Sequence, residues 1–564
     1  MGGLLQKVLF FILGIAALLV IAAISLFLFL DTSDFREDIS AHVHRATGRE
    51  LVIEGDLKFS LFPSLGIEIG RTRLGNADGF GDEPFASFEH ARLSVLVMPM
   101  LLQSEIIVET AVLDSLHLNL EVARNGRSNW QDLVDAIAAT PDIEPSDSDS
   151  VTLDITSIDI RNASLSYVDA QVGESYRLSE FNVTTGRVVA GEPIAVHGSF
   201  NYEQPAANLA GKVVIETNLS LTPAATTMDD LVLVLDDTTF KGKLSLASDA
   251  AATINVDLAA DAIDLDRYMA AADDTASADE ESAPVEIPVD LIRSLSIHGG
   301  ITFDDVTLSG MKFSDLTLGI HAANGNMRLH PISAKFFGGK YEGDVRIDVR
   351  GDRPVLSVNE SISNVDLGAF AVAVFEQENI TGRINGSFKL TGRGHDLADI
   401  QRNLHGSMSM ELLDGTWEGT DVWYELRRAR ALYKKEPAPE QELPARTRFS
   451  IVKASGPVRG GVFHNDDLLV ELPFMRITGK GSVDLAAATV DYRMSARVLD
   501  RPEFAQGATE KELQEFTEAV IPLKIKGPLA DPSIKPDVKK MLRKQGKDEA
   551  RDRVEDALKD LFRR

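Results

Sequence analysis

The chain has 564 residues, 44% of them hydrophobic, no cysteine and a formal net charge of −29 at pH 7. That length allows roughly three or four domains or one long repetitive body, with enough apolar residues for a sizeable core. The acidic balance argues against nucleic acid as a partner, because phosphates need clustered Lys and Arg, and the missing thiols exclude disulfides, thiolate nucleophiles and thiolate metal sites.

The first element is an apolar run from Val8 to Leu30, interrupted only by the uncharged Gly14 and Ser25. As a helix it reaches roughly 34 Å, enough to cross the hydrocarbon core of a bilayer. Lys7 precedes it, and Asp31, Asp34, Glu37 and Asp38 crowd its far end. The positive-inside rule therefore leaves the amino terminus in the cytoplasm and sends the rest across. A cleaved signal peptide has a shorter apolar core, about 7–15 residues, and a small-residue exit. Here the run ends Leu26-Phe27-Leu28-Phe29-Leu30, which fits an uncleaved single-pass anchor.

From Asp34 to Thr47, Phe35, Ile39 and Val43 at four-residue spacing predict a short helix. Beyond it the pattern has period two. Leu153/Ile155, Leu244/Leu246, Ile254/Val256/Leu258 and Leu316/Leu318/Ile320 alternate with other residues, mostly polar. So do Val345/Ile347/Val349, Leu468/Val470/Leu472 and Val490/Tyr492/Met494/Ala496. Such segments are strands with one apolar and one polar face. Asn324-Gly325, Asn385-Gly386 and Asp414-Gly415 suit hairpin turns, so antiparallel meanders are expected.

Capping-box spacing at Ser128 and Gln131 predicts a helix through Ala139, and the same spacing at Thr509 and Glu512 predicts one over Glu510–Val520. Asp264–Ala271 and Thr420–Lys434 also read as helices. Polar, acidic or proline-rich linkers occupy 141–150, 272–288 and 436–444. The tail from Lys539 is highly charged, with Val554, Leu558, Leu561 and Phe562 as a narrow apolar stripe.

No G-x-S-x-G elbow, H-E-x-x-H helix or complete phosphate-binding loop occurs. Gly392-Arg393-Gly394 and Gly479-Lys480-Gly481 read as turns between strands rather than as loops opening a helix. His42 and His44 point in different directions on a helix. Asp236-Asp237, Asp304-Asp305 and Asp466-Asp467 are candidates for a glycosidase pair, but at strand ends they read as solvated turn residues. No catalytic residue, cofactor or metal site is assigned, and the chain is expected not to be an enzyme.

The stretch after the anchor resembles the AsmA family of bacterial envelope proteins. The matching residues are Thr47-Gly48-Arg49, Gly55-Asp56-Leu57, Phe62-Pro63-Ser64-Leu65-Gly66, Gly75-Asn76, Gly79-Phe80, Phe85-Ala86, Leu101-Leu102, Asn125-Gly126 and Asn129-Trp130. A second block resembles the family's carboxy-terminal region through Leu265-Asp266-Arg267-Tyr268, Phe337-Gly338-Gly339, Leu404-His405-Gly406, Asp414-Gly415, Gly479-Lys480-Gly481, Val483-Asp484-Leu485, Ile521-Pro522-Leu523 and Gly527-Pro528. Each match alone is a glycine or proline turn signal; their order along the chain carries the resemblance. It implies an inner-membrane anchor and a periplasmic body of repeating β-groove units, beginning with a chorein-like segment. It also implies phospholipid carriage between inner and outer membranes, with outer-membrane protein assembly as the older association.

The expected fold is thus mainly β: a transmembrane helix, then an elongated antiparallel β-groove with a few short helices. The expected divisions are 1–30 for the tip and anchor, 31–140 for a chorein-like region and 151–270 for a middle groove. They continue with 290–530 for the carboxy-terminal β region and 531–564 for the tail. Apolar strand faces must be covered or filled. A second sheet would cover them; acyl chains would fill an open gutter. Moving a lipid through water exposes about 30 methylenes at roughly 0.8 kcal/mol each, about 24 kcal/mol, a barrier crossed at roughly 10⁻⁵ per second. An apolar rail removes most of that cost.

Candidate groove residues are Ile254, Val256, Leu258, Leu316, Leu318, Ile320, Val345, Ile347, Val349, Tyr492 and Met494. The expected partners are phospholipids and the inner membrane, with outer-membrane or periplasmic proteins as further ones. The basic helix with Trp423, Arg427, Arg428 and Arg430 suits headgroups, although packing of Trp423 into the β core is the preferred reading. The alternative function is a non-enzymatic scaffold for outer-membrane assembly, its apolar faces sealed by sandwich packing; a glycan-processing enzyme has only scattered carboxylates behind it.

Overall fold

The computed structural model describes residues 35–60, 64–99, 106–134, 153–248, 252–268, 287–419, 421–440, 443–499, 520–529 and 533–536, together with 510, 514 and 517. The anchor, the linker 141–150, most of 272–288 and the charged tail lie outside the described residues. Among the described residues no helix is long and apolar enough to cross a membrane. The chain forms two compact units: Met1–Ile263 with Arg267–Asp279, and Asp264–Asp266 with Glu280–Arg564.

The first unit opens with helix Phe35–Thr47. Its Ile39 packs on a cluster of Ile53, Ile67, Ile69, Leu93 and Val108, and Arg36 donates to the carbonyls of Ile53 (3.1 Å) and Gly55 (3.0 Å). Strands Leu57–Ser60, Ser64–Ile69, His90–Leu96 and Ile106–Asp114 pair antiparallel in that order. Strands Leu51–Ile53, Thr72–Leu74, Ala86–Phe88 and His117–Val122 form a second ribbon.

One strand, Ile158–Asp169, departs from the expected all-antiparallel plan. It runs parallel to Ile106–Asp114 through residues 158–161 and parallel to His117–Val122 through residues 164–169. Leu153–Ile155 likewise lies parallel to Ile106–Asp114. Parallel neighbours need a crossover instead of a hairpin, so no turn signal announces them. From Ile158–Asp169 onward the expected meander holds. Glu174–Thr185, Ile194–Gln204, Leu209–Leu221, Ala225–Leu235, Thr238–Ala247 and Ile254–Asp264 follow one another, each antiparallel to its neighbour.

In the second unit every strand from Ile297–Leu308 to Ser533–Pro536 pairs antiparallel with the next. Asn324-Gly325, with φ of 50° and 73°, makes the expected two-residue hairpin. The other two turn assignments fail. Asn385-Gly386 and Asp414-Gly415 lie inside strands Ile380–Arg393 and His405–Glu418. At Gly415 a side chain would meet the Phe449 ring at 2.0 Å, so that glycine answers a cross-strand aromatic. Gly479-Lys480-Gly481 is also internal, to strand Met475–Asp484, and Gly392-Arg393-Gly394 leads through Asp396 into helix Leu397–Arg402.

Helices punctuate the strand ends of this unit. Val289–Ser294 and Leu397–Arg402 lie at one end; Leu367–Phe375 and Val422–Lys434 lie at the other. Val422–Lys434 answers the expected 420–434 helix. Leu367–Phe375 is not legible as one in the sequence: its unbroken apolar run lacks a polar face, but Asp366 caps it by accepting from Ala369 N (2.8 Å). Both helices pack on a cluster that includes Phe336, Val365, Leu367, Trp423, Phe449, Phe474 and Val498. Trp423 is 3% exposed and 5.6 Å from the Phe474 ring, so it belongs to the core rather than to a headgroup.

Other helix boundaries shift. Strand Ile254–Asp264 runs into the expected 264–271 helix, of which residues 266–268 are helical, and Val520 begins strand Val520–Pro528 instead of ending a helix. Residues 131–134 are helical as expected, and the remainder of that helix lies outside the described residues.

Candidate functional site

Several family-resembling residues of the first unit converge on one buried guanidinium. Arg49, 3% exposed, grips Asp132 with two bonds (Nε to Oδ2, 2.9 Å; Nη2 to Oδ1, 2.6 Å). It also donates to the carbonyls of Asn129 and Gly75 and lies 4.5 Å from the Phe85 ring centroid. Asn129, fully buried, donates to Asn76 Oδ1 (3.0 Å) and Asn119 O (2.9 Å), and accepts from Glu121 N (2.9 Å). The motifs around Arg49, Gly75-Asn76, Phe85 and Asn129 thus tie one knot between distant strands. Its polar groups are spent on one another, which is structural chemistry.

Arg267 and Tyr268 do similar work elsewhere in the first unit. Asp236 accepts from the phenols of Tyr202 (3.0 Å) and Tyr268 (2.9 Å) and from Lys212 N (2.8 Å), with Arg267 at 3.4 Å. Its side chain is 6% exposed. Burial opposes its charge, but these donors together hold the carboxyl below the usual range. The expectation of a solvated Asp236 is corrected. Asp304-Asp305 and Asp466-Asp467 lie inside strands rather than at their ends. Asp467 pins a bulge by accepting from Ser455 N (2.8 Å). Among the described residues no three His, Asp or Glu side chains gather as a metal site would require.

Ten of the eleven candidate positions fall on the apolar faces of the meanders; Val349 does not. In the first unit, Ile254 stands opposite Leu246, Val256 opposite Leu244 and Leu258 opposite Gly242. Leu244 in turn faces Met228, which faces Leu219, which faces Ile194, so one apolar row crosses five strands. A second row runs Phe200, Val213, Leu235 and Thr238. Residues such as Lys243 and Asp229, which pair at 2.7 Å, occupy the opposite face.

In the second unit, Ile320, Leu329, Val345, Val358 and Leu390 form one row and Leu318, Ile332, Gly343, Glu360, Phe388 and Met408 the next. Leu316 faces Phe303, and Ile347 faces Met327 and Leu356. Most of these side chains are half-buried, whereas Phe388 and Met410 remain 36% and 43% exposed. Solvent therefore reaches this part of the face.

Four candidates differ, the first being Leu258, which at 9% exposure is buried. Val349 lies past the end of strand Gly339–Asp348 and is fully buried, its N–H bonded to Gly325 O (2.8 Å). Tyr492 and Met494 share the apolar face but are 7% and 9% exposed, opposite Gly481 and Gly479. Burial pushes the Tyr492 phenol up to about 12, with the charge of Asp467 adding to the shift.

Sequence reasoning missed Glu360. It occupies the apolar phase of Leu356, Val358, Glu360 and Ile362, a lone acid where alternation calls for a hydrophobe, and it is 6% exposed. The Tyr341 phenol donates to its Oε2. Burial raises the Glu360 carboxyl above the ordinary range, the Tyr341 bond opposes this, and Asp344 adds to it from the neighbouring strand. A raised carboxyl favours the folded state least when ionised. Relative to Glu360→Gln, wild type is therefore expected to lose local stability as pH rises through the folded value. The difference should vanish below the unfolded value of about 4.3. Hydrogen exchange of strand Val355–Asp366 at pH 4 and pH 8 checks this; a gap that widens on acidification would contradict it.

The AsmA family profile matches residues 4–208 and 203–468. Protein AsmA of Escherichia coli (strain K12) is 21% identical over 569 residues, covering 91% of each chain. No solved structure matches. With the profile spanning most of the chain, this protein belongs to the AsmA family.

Proposed function

We propose that this chain is a membrane-anchored conduit that carries phospholipids along the apolar faces of its meanders. In this reading residues 8–30 hold it in the inner membrane, the remainder is periplasmic, and the lipid moves between inner and outer membranes. The observation that carries the proposal is the set of cross-strand apolar rows whose side chains are mostly half-buried, backed by a polar opposite face. Acyl chains on such a face stay out of water while headgroups remain hydrated. Transfer then needs no bond-making step and no cofactor. The cluster sealed beneath Leu367–Phe375 and Val422–Lys434 supports a second reading, a scaffold for outer-membrane assembly.

A photo-crosslinking amino acid in the full-length chain tests the conduit in cells labelled with radioactive phosphate. Placed at Val256 or Ile347, on the apolar face, it is expected to capture phospholipid. At Asn255 or Arg346, one residue away on the polar face, capture should fall to background. Equal labelling on both faces, or none on either, would turn the assignment toward the scaffold.

A further inference from the structure

Glu360 is out of place on a face that only holds acyl chains. Its strand neighbours on that face are Val358 and Ile362, and Gly343 and Phe388 stand directly across from it. Met408 follows Phe388 in the same row, and Met410 faces Gly386 beside it. The residue is 6% exposed, and among the described residues no Lys, Arg or His pairs with its carboxyl. Tyr341 occupies Oε2, and Oε1 receives no hydrogen bond from any described residue. Room for the pair comes from Gly343, where a methyl group would stand 2.7 Å from Glu360 Oε2 and 2.9 Å from the Tyr341 hydroxyl. The backbone leaves space for an acceptor of which the described residues engage one oxygen.

We propose that Glu360 and Tyr341 form a polar station in the apolar face that accepts a hydrogen bond from a hydroxyl carried on an acyl chain. The inference rests on the conduit reading and adds the class of lipid it favours. A headgroup ammonium would have to leave water and enter the surroundings of Phe388, Met408 and Met410, and stripping a full charge is far more costly than stripping a hydroxyl. A hydroxyl on an otherwise apolar chain reaches the carboxyl while its methylenes lie against those same side chains. Exposed Phe388 and Met410 border the acceptor, so the chain has a path to it.

The test uses the full-length protein in an amphipathic polymer, with a fluorescent fatty acid displaced by stearic acid, 12-hydroxystearic acid or monostearoylglycerol. Wild type is expected to bind the 12-hydroxy acid about tenfold more tightly than stearic acid, the scale of one hydrogen bond to a charged group. Glu360→Leu should bring that ratio to about one, with stearic acid bound at least as tightly as by wild type because a leucine replaces the carboxylate on the face. Glu360→Gln, which keeps an acceptor oxygen, should retain part of the preference.

Equal affinity of wild type for the two acids would overturn the station and leave the conduit standing. A Glu360-dependent gain for monostearoylglycerol, whose hydroxyls are at the head, would overturn the acyl-chain assignment. Failure of every competitor to displace the probe would remove both readings.

Discussion

Asp132→Asn is expected to loosen the first unit more than Arg49→Met does, although the two residues form one ion pair. Arg49 has a side-chain exposure of 2% and Asp132 one of 41%. Removing the carboxylate leaves a guanidinium sealed against the Phe85 ring with only carbonyls for partners, a loss of about 3–5 kcal/mol for a buried charge left unpaired. Removing the guanidinium leaves a carboxylate that water can reach, and the cost falls to the lost carbonyl bonds, about 1–3 kcal/mol.

A two-unit chain does not unfold in one step, so the measurement is local. The amides of Asn119, Glu121 and Asn129, which donate to Phe85 O, Asn129 Oδ1 and Glu121 O, are the reporters in hydrogen exchange. Equal losses, or a larger loss in Arg49→Met, would mean that the knot is held by its carbonyl contacts and not by the charge pair.

The same knot separates what the sequence reveals from what it hides. Alternation along a strand is a local property, so Ile254/Val256/Leu258 and Leu316/Leu318/Ile320 announce both their strands and their shared faces. The Asn324-Gly325 turn is equally local, because positive φ at both positions selects those residues. Glycines inside strands answer neighbours remote in sequence: Gly415 makes way for Phe449, and Gly479 for Met494. Without those partners in view, a glycine next to a polar residue reads as a turn. Parallel pairing of Ile158–Asp169 has the same origin, since its partners are earlier strands across the 141–150 linker.

Arg49 could be quoted as part of a motif but its role could not, because Gly75, Phe85, Asn129 and Asp132 meet it only through the fold. Glu360 carried a usable signal. A charge in the apolar phase of a strand must find a partner or a purpose.

Val256→Asp and Ile347→Asp are expected to abolish lipid contact while leaving the chain folded, whereas Val365→Asp should prevent accumulation. Val256 and Ile347 are half-buried, so a carboxylate there can turn toward water in the empty protein. Val365 is 0% exposed within the cluster under helix Leu367–Phe375, where an ionised group has no solvent and costs several kcal/mol. The tolerance of Val256→Asp and Ile347→Asp disappears once acyl chains occupy the face, because the chains displace the water that hydrates the introduced carboxylate.

Crosslinkers at the cross-strand partners, Leu244 opposite Val256 and Leu356 opposite Ile347, read that displacement. Phospholipid capture there should drop by about tenfold or more, the factor that corresponds to about 1.4 kcal/mol. Asn255→Asp, on the polar face of the same strand, should leave capture unchanged. If Val256→Asp and Ile347→Asp instead reduce folded protein as severely as Val365→Asp, the rows belong to an ordinary core, and the burial that should be supplied by lipid is being supplied by the protein itself.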